Sequence, residues 1–260
     1  MATLDALTLT LPSTELGRTP VTELLAHYLC VRYSAVLPEE TCQRYVRAIY
    51  NARQFWHSDF DGAQFSLGRA WYTHLEQHRV RLYFGRSQES DRLVERILPG
   101  MQSQMRQLMS AALGEPVKAR VGWCGPGVHI FPAAGWCAQH GGDIHFDNEG
   151  LQYPKPLLHT AALTMILMLQ PPERGGGLKV WNTRYQNSDT ITPSMLATEH
   201  AVVPYEIGDL VIINAYQLHQ IQPFEGQRDR ISITAHLARV SHGWVSVSYT
   251  HLTLPTTPYV

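Results

Sequence analysis

With 260 residues the chain can bury one sizeable core, and its 44% apolar and 17% charged content is that of a globular protein. Its 21 basic and 22 acidic side chains leave a net charge of −1, which gives no electrostatic case for a nucleic-acid or membrane-surface partner. No apolar run is long enough to span a bilayer, and residues 1–20 lack the basic patch and apolar stretch of a secretory signal.

Residues 1–20, with Pro12 and Pro20 and no clear period, read as a loose lead-in. From Val21 to about Arg53 the pattern is helical: Leu24, Leu25, Tyr28 and Leu29 recur at three-to-four spacing, and Pro38-Glu39-Glu40 resembles a first turn. A further helix is expected from about Ser90 to Leu113, with Leu93, Ile97, Met101, Met105 and Leu108 on one face and a break or kink at Pro99-Gly100. After Pro116 short apolar segments alternate with Gly, Pro, Asn and Asp. Strands are expected near 117–123, 127–131, 143–147, 161–169, 177–181, 201–204, 209–213, 219–223 and 230–238. Many short strands separated by turns predict an antiparallel sandwich or barrel.

The expected organisation is one domain over 21–246, with helical support over 21–116 and a β core over 117–240. From about Val247 the chain reads VSYTHLTLPTTPYV, which resembles a translated sequencing-adapter tail. Residues 247–260 are therefore expected to be non-native, the alternative being a genuine extended arm. Cys30, Cys42, Cys124 and Cys137 are too few and too irregular for a disulfide framework, so a cytoplasmic setting is expected. The sequence is silent on oligomeric state.

Gly141-Gly-Asp-Ile-His145-Phe-Asp147 contains His-x-Asp. On a strand, residues i and i+2 share a face, so one imidazole and one carboxylate can converge on a metal. Alone the triplet is weak. It gains weight from His219, which follows a turn at Gly208-Asp209 and an apolar strand, and from Arg230-Ile-Ser232 eleven residues later. Two histidines and one carboxylate make a facial triad for non-haem iron with open positions. An arginine and a hydroxyl on one strand face can clamp a carboxylate. Arg228 competes with Arg230 for that part, since both fall on the same face of an extended strand.

The order His145-x-Asp147, His219, Arg230-x-Ser232 is similar to the Fe(II)/2-oxoglutarate-dependent oxygenase superfamily, and most to its prolyl-hydroxylase-like branch. Pro171-Pro-Glu-Arg-Gly-Gly-Gly-Leu178 resembles the Gly-Gly-x-Leu turn and strand placed there between the two halves of the triad, and Thr164–Leu169 resembles the preceding core strand. The resemblance covers roughly residues 117–240. It implies a double-stranded β-helix (a cupin-like jelly roll, α+β overall with a mainly β core). It implies Fe(II) on His145, Asp147 and His219, and 2-oxoglutarate with its distal carboxylate on Arg230, helped by Ser232. It further implies O2 as oxidant, with release of succinate and CO2. Related halogenases replace the carboxylate by a small residue that opens a chloride site, so Asp147 argues for hydroxylation or another oxidation. The expected substrate is a small polar molecule, such as an amino acid or natural-product intermediate. The alternatives are a residue in a peptide or protein, or a non-catalytic metal- or acid-binding jelly roll.

His129 either points beside the co-substrate or is a core histidine. His140, Asp143, Asn148 and Glu149 flank the first ligands as substrate contacts or solvated loop. Trp123 and Trp181 wall the cavity or pack the core. The segment Phe65–Glu76 is a substrate lid or scaffold. Cys124, Cys137, His140 and His145 as a zinc site lack the close cysteine pairs that structural zinc favours.

Overall fold

The computed structural model describes residues 3–5, 7–148, 151 and 160–247. Its strands are β1 (Thr3–Asp5), β2 (Thr8–Pro12), β3 (Cys30–Ser34), β4 (His57–Asp59), β5 (Gln64–Leu67), β6 (Val117–Ala119), β7 (Gly127–Phe131) and β8 (Ala162–Gln170). They continue with β9 (Arg174–Gly175), β10 (Leu178–Arg184), β11 (His200–Val203), β12 (Leu210–Asn214), β13 (Gln217–Ile221), β14 (Phe224–Glu225), β15 (Arg230–Val240) and β16 (Gly243–Val247). The helices used below are α1 (Val21–Leu24), α2 (Glu39–Asn51), α3 (Trp71–Glu76), α4 (Val80–Gly85), α5 (Ser87–Ile97), α6 (Met101–Leu113) and α7 (Trp136–His140). None is long and apolar enough to cross a membrane.

Alternation along the strands decides how the layers stack. β15 reads Arg-Ile-Ser-Ile-Thr-Ala-His-Leu, so Ile231, Ile233, Ala235 and Leu237 leave one face while Arg230, Ser232, Thr234 and His236 leave the other. The apolar set joins the main core with Leu163, Met165 and Leu167 of β8, Leu210 and Ile212 of β12, and Val128 and Ile130 of β7. That core is closed by Val46 and Ile49 of α2, Val94 of α5 and Met101, Met105 and Met109 of α6. The opposite face meets a second apolar layer, where Ile166, Met168, Val211 and Ile213 pack on Leu178 and Val180 of β10 and Val203 of β11. The polar residues of β15 therefore lie inside a sandwich, beside the second layer.

The large sheet runs β1-β2-β3-β12-β8-β15-β7-β5-β4, with β16 on the far part of β15 and β6 beside it; the facing sheet is β11-β10-β13, and β14 pairs β9. This is the expected jelly roll with supporting helices, and seven of the nine expected strands are found close to their expected places. The first, near 117–123, is only Val117–Ala119.

Three expectations need correction. The span 143–147 is not a strand: only His145 bridges, antiparallel, to His219. The support over 21–116 is not purely helical, because β3, β4 and β5 all join the large sheet. The three-to-four spacing near Leu24–Leu29 crosses a turn, and Cys30-Val-Arg-Tyr-Ser then alternates, with Val31 and Tyr33 in the main core and Cys30 in the second layer. Arg32 between them reaches the buried Asp209 (Nη2–Oδ2 2.5 Å) and fixes β3 beside β12. The lead-in is not loose, since β2 lies parallel to β3 in register from Thr8–Cys30 to Pro12–Ser34. The kink at Pro99-Gly100 is present between α5 and α6, with Gly100 at φ 74°. At the other end β16 is integrated through Trp244, buried against the main core, and its Val247 pairs with His236. Residues 248–260, most of the suspected tail, lie outside the described residues.

Candidate metal and co-substrate site

Between the two sheets His145, Asp147 and His219 bring one ligand atom each to within 4.8 Å of one another, and all three residues are buried. No other group of three or more such side chains occurs among the described residues. Although the His-x-Asp segment is irregular, two reciprocal bonds, His145 N–H to His219 O (3.1 Å) and His219 N–H to His145 O (3.0 Å), pin it to β13, and Asp147 N–H donates to Ala215 O (2.8 Å). This local pairing supplies the same-face geometry that a full strand would have given.

The imidazoles are oriented by the main chain. His145 Nδ1 sits 2.8 Å from Asp143 O, and His219 Nδ1 sits 2.8 Å from Gln217 O. A carbonyl only accepts, so each Nδ1 carries a proton, and each ring turns its Nε2 toward the centre of the triad. Both Nε2 atoms face Asp147, with His145 Nε2 3.5 Å from Oδ1 and His219 Nε2 3.3 Å from Oδ2. Burial alone would push the Asp147 carboxyl up, but His219, His236 and His145 around it hold it well below the usual carboxylate range. Two imidazoles and a carboxylate meeting in a dry site are held together by positive charge between them, carried by imidazole protons or by a metal cation in their place. The donor set of two imidazoles and one carboxylate suits ferrous iron with open positions.

A second buried charge faces the same cavity. Arg230 is 1% exposed. Its guanidinium is stacked between Phe131 (5.4 Å) and Tyr205 (5.2 Å), and its Nε donates to Gly176 O (3.1 Å). Nη1 lies 3.4 Å from Ser232 Oγ, while Nη2 is buried with no hydrogen-bond acceptor among the described residues. Burial pulls its pKa below the usual arginine value, opposed by Tyr205 and Cys137. A fork held by two rings, with donors unspent, is prepared for an anion. The glycine turn sets this up: Gly175 has φ +75°, and a Cβ there would stand 2.4 Å from Pro223 O.

Arg228 is exposed and precedes β15, so the structure separates the two arginines that parity could not. Ser232 and His129 line the cavity with the triad and Arg230, and are directly opposite one another on β15 and β7. Burial, with His236 and Arg230 adding, pushes His129 down to about 3, so it is neutral.

The other flanking candidates are not brought to the cavity wall. His140 is exposed at the end of α7, stacked on Trp136 at 4.8 Å. Asp143 contributes its carbonyl to His145. Asn148 is fully buried and donates to Asp189 (3.2 Å). Trp181 follows Val180 and so leaves the other face of β10, packing on Phe146 and Leu218. Trp123 packs with Trp71 and Tyr83, as does Cys124, away from any metal cluster. Glu149 lies outside the described residues. The Phe65–Glu76 segment is largely scaffold, with Leu67, Trp71, Tyr72 and His74 buried.

Sequence reasoning missed Gln64, Thr164, Thr234 and His236. Gln64, just before that segment, lines the cavity, hydrogen-bonds Tyr72, and places its amide nitrogen 3.2 Å from His129 Nδ1. Thr234 and His236 were signalled by the alternation that marked Arg230 and Ser232. Gln64 carried no such signal.

A family model described as carrier-protein-independent halogenase WelO5 matches residues 36–244. The chain belongs to this family. It is thereby an Fe(II)/2-oxoglutarate-dependent oxygenase superfamily member, as the triad order implied. Among solved structures it is similar in fold to the epimerase SnoN in complex with Fe3+, alpha-ketoglutarate and nogalamycin RO, at 15% identity and TM-score 0.52 over 83% of this chain and 82% of that one. It is also similar to an N-substituted L-amino acid dioxygenase from Burkholderia ambifaria AMMD, at 12% identity and TM-score 0.53 over 90% and 89% of the two chains. No curated protein matches the sequence.

Proposed function

We propose that this chain hydroxylates an unactivated C–H bond of a small polar molecule, such as an amino acid or natural-product intermediate, using Fe(II), 2-oxoglutarate and O2. The observation that carries this reading is the conjunction of a buried two-histidine, one-carboxylate triad and an anion-ready arginine in one cavity. His145, Asp147 and His219 would hold the metal, which supplies oxidative decarboxylation of the co-substrate to succinate and CO2 and oxidation of the substrate carbon. Arg230, with Ser232 beside it, would take the distal carboxylate and so fix which end of the dicarboxylate reaches the metal. His129, neutral and opposite Ser232, would hydrogen-bond the co-substrate without adding charge. Ile166, Leu178 and Ile221 give the same cavity an apolar part of its wall, which disfavours water and strengthens each polar contact there.

A second reading, halogenation, is favoured by the name of the matched family. Asp147 weighs against it. A halide on the metal needs a place next to the two imidazoles, and the Asp147 oxygens already stand 3.3 and 3.5 Å from their Nε2 atoms. An epimerase of similar fold is among the solved structures, and fold alone does not set the reaction.

The test is reaction with Fe(II), 2-oxoglutarate and O2 in chloride-containing buffer against a panel of amino acids, N-substituted amino acids and short peptides. Succinate and product mass are read together. Substrate-dependent succinate with gain of one oxygen supports hydroxylation, and replacement of hydrogen by chlorine overturns it in favour of the halogenase reading. Turnover only of peptides would move the substrate class. Absence of 2-oxoglutarate binding would leave a metal- or acid-binding jelly roll.

A further inference from the structure

The two imidazoles of the triad are aimed by main-chain carbonyls, but Asp147 is aimed by side chains. Thr164 Oγ1 donates to Asp147 Oδ2 at 2.5 Å and lies 3.0 Å from His236 Nδ1. Thr164 and His236 are direct cross-strand partners on β8 and β15, 1% and 4% exposed, on the inner face of the large sheet. The proton arrangement is determined. An ionised carboxylate can only accept, so the threonine proton points at Oδ2. The hydroxyl then accepts from His236, whose Nδ1 carries its own proton. Asp147 Oδ1, by contrast, is buried, accepts no hydrogen bond of normal geometry among the described residues, and lies 3.5 Å from His145 Nε2.

We propose that Thr164, itself held by His236, is a positioning residue that commits Asp147 to one-oxygen metal binding, with Oδ2 occupied by the hydroxyl and Oδ1 left as the donor. The proposal rests on the reading that the triad holds a metal. A carboxylate held to one oxygen would leave more of the metal's coordination open to co-substrate and oxidant, whereas one free to rotate could close on the metal with both oxygens. β-Branched threonine suits the task, because χ1 is restricted on a strand and the hydroxyl is held at one angle.

The test is Mn(II) titration of the full chain without oxygen, together with the visible spectrum of the Co(II) protein with 2-oxoglutarate. Thr164→Val, which keeps shape and removes the hydroxyl, is expected to weaken Mn(II) binding about ten- to a hundredfold, as loss of an outer partner does elsewhere, and to shift the cobalt bands. Thr164→Ser is expected to return both toward wild type. A Thr164→Val protein with Mn(II) affinity within about twofold of wild type and unchanged cobalt bands overturns the proposal, while leaving the triad reading intact. If Thr164→Val does not fold, the second pair decides. His236→Asn keeps a donor near the Nδ1 position and should bind Mn(II) more tightly than His236→Leu; equal affinities overturn the relay. Wild-type protein that takes up no Mn(II) overturns the triad reading and this inference together.

Discussion

Replacing Arg230 by methionine separates the arginine's cost in the empty fold from its value when the co-substrate is bound. The guanidinium is 1% exposed, has Nη2 unaccepted, and forms no ion pair with a carboxylate among the described residues. Without an anion it is a desolvated charge, stabilised among the described residues by the Phe131 and Tyr205 side chains, the Gly176 carbonyl and Ser232. Methionine keeps much of the stem, so the empty protein should melt within about 3 °C of wild type, a difference of roughly 1 kcal/mol. Bound 2-oxoglutarate reverses the balance. In wild type with Mn(II) and no oxygen, a hundredfold excess over Kd should add about 2.7 kcal/mol, hence roughly 5–10 °C. Losing a charge-assisted contact costs about 1.5–3 kcal/mol, or ten- to a hundredfold and more in affinity. The same concentration should then add only about 0.3–1.3 kcal/mol to the variant, hence roughly 1–5 °C. Differential scanning fluorimetry with and without 2-oxoglutarate reads both quantities. An undiminished shift in Arg230→Met, or a lost shift in Arg228→Met, refutes the assignment of the anion clamp.

His145→Ala and His219→Ala should each abolish Mn(II) uptake, measured by isothermal titration calorimetry, with the far-UV circular dichroism unchanged; stoichiometric binding in both would sink the triad. Asp59 is fully buried on β4, accepts from Ser66 Oγ (2.8 Å), and is pushed up by burial from 3.8 to about 6, against the pull of Ser66, Thr73 and nearby arginines. A raised folded-state carboxyl binds protons that the unfolded chain has released, so stability should fall as pH rises from about 4 to about 6 and then level, by up to roughly 3 kcal/mol. Asp59→Asn should flatten that part of the melting-temperature profile, and an unchanged slope counts against the buried acid as its source. Gly208, at φ +81° before β12, would set a Cβ 2.1 Å from Leu37 O, so Gly208→Ala should cost more than about 1 kcal/mol, and a melting temperature within 1 °C of wild type would contradict it.

What was legible in the sequence is what alternation and motif order encode. β15 could be read because its polar and apolar residues alternate without interruption, and the same pattern carried Arg230 and Ser232 to the site. The triad was legible by order, although the strand assumed for His145 and Asp147 is only a bridge and one further backbone bond. The front of the chain was not legible. β3 is five residues long and both its faces are buried, so its period is masked by the helical spacing that precedes it. β5 carries Gln64 into the cavity through pairing with β7, and a pairing between residues 65 and 130 leaves no local mark. Thr164 was read as the start of a core strand, which it is. Its hydroxyl acquires meaning only when β15 sets His236 opposite.

The two faces of β8 and β15 divide stability and chemistry between them. On the outer face Met165, Leu167, Ile231, Ile233 and Leu237 are buried in the main core, where each large apolar side chain contributes about 1.5–3 kcal/mol. On the inner face Thr164, Arg230, Ser232, Thr234 and His236 are equally buried, and a polar group there costs stability unless it is satisfied. The strands can hold the second set in place because the first set fixes their register, and a one-residue slip would exchange the two faces completely. A single register therefore maintains the core and aims the site. The polar face remains partly unsatisfied in the empty protein, at Asp147 Oδ1 and Arg230 Nη2. A cation at the first and an anion at the second would satisfy that face, and on the proposed reading binding energy at this site would also be folding energy.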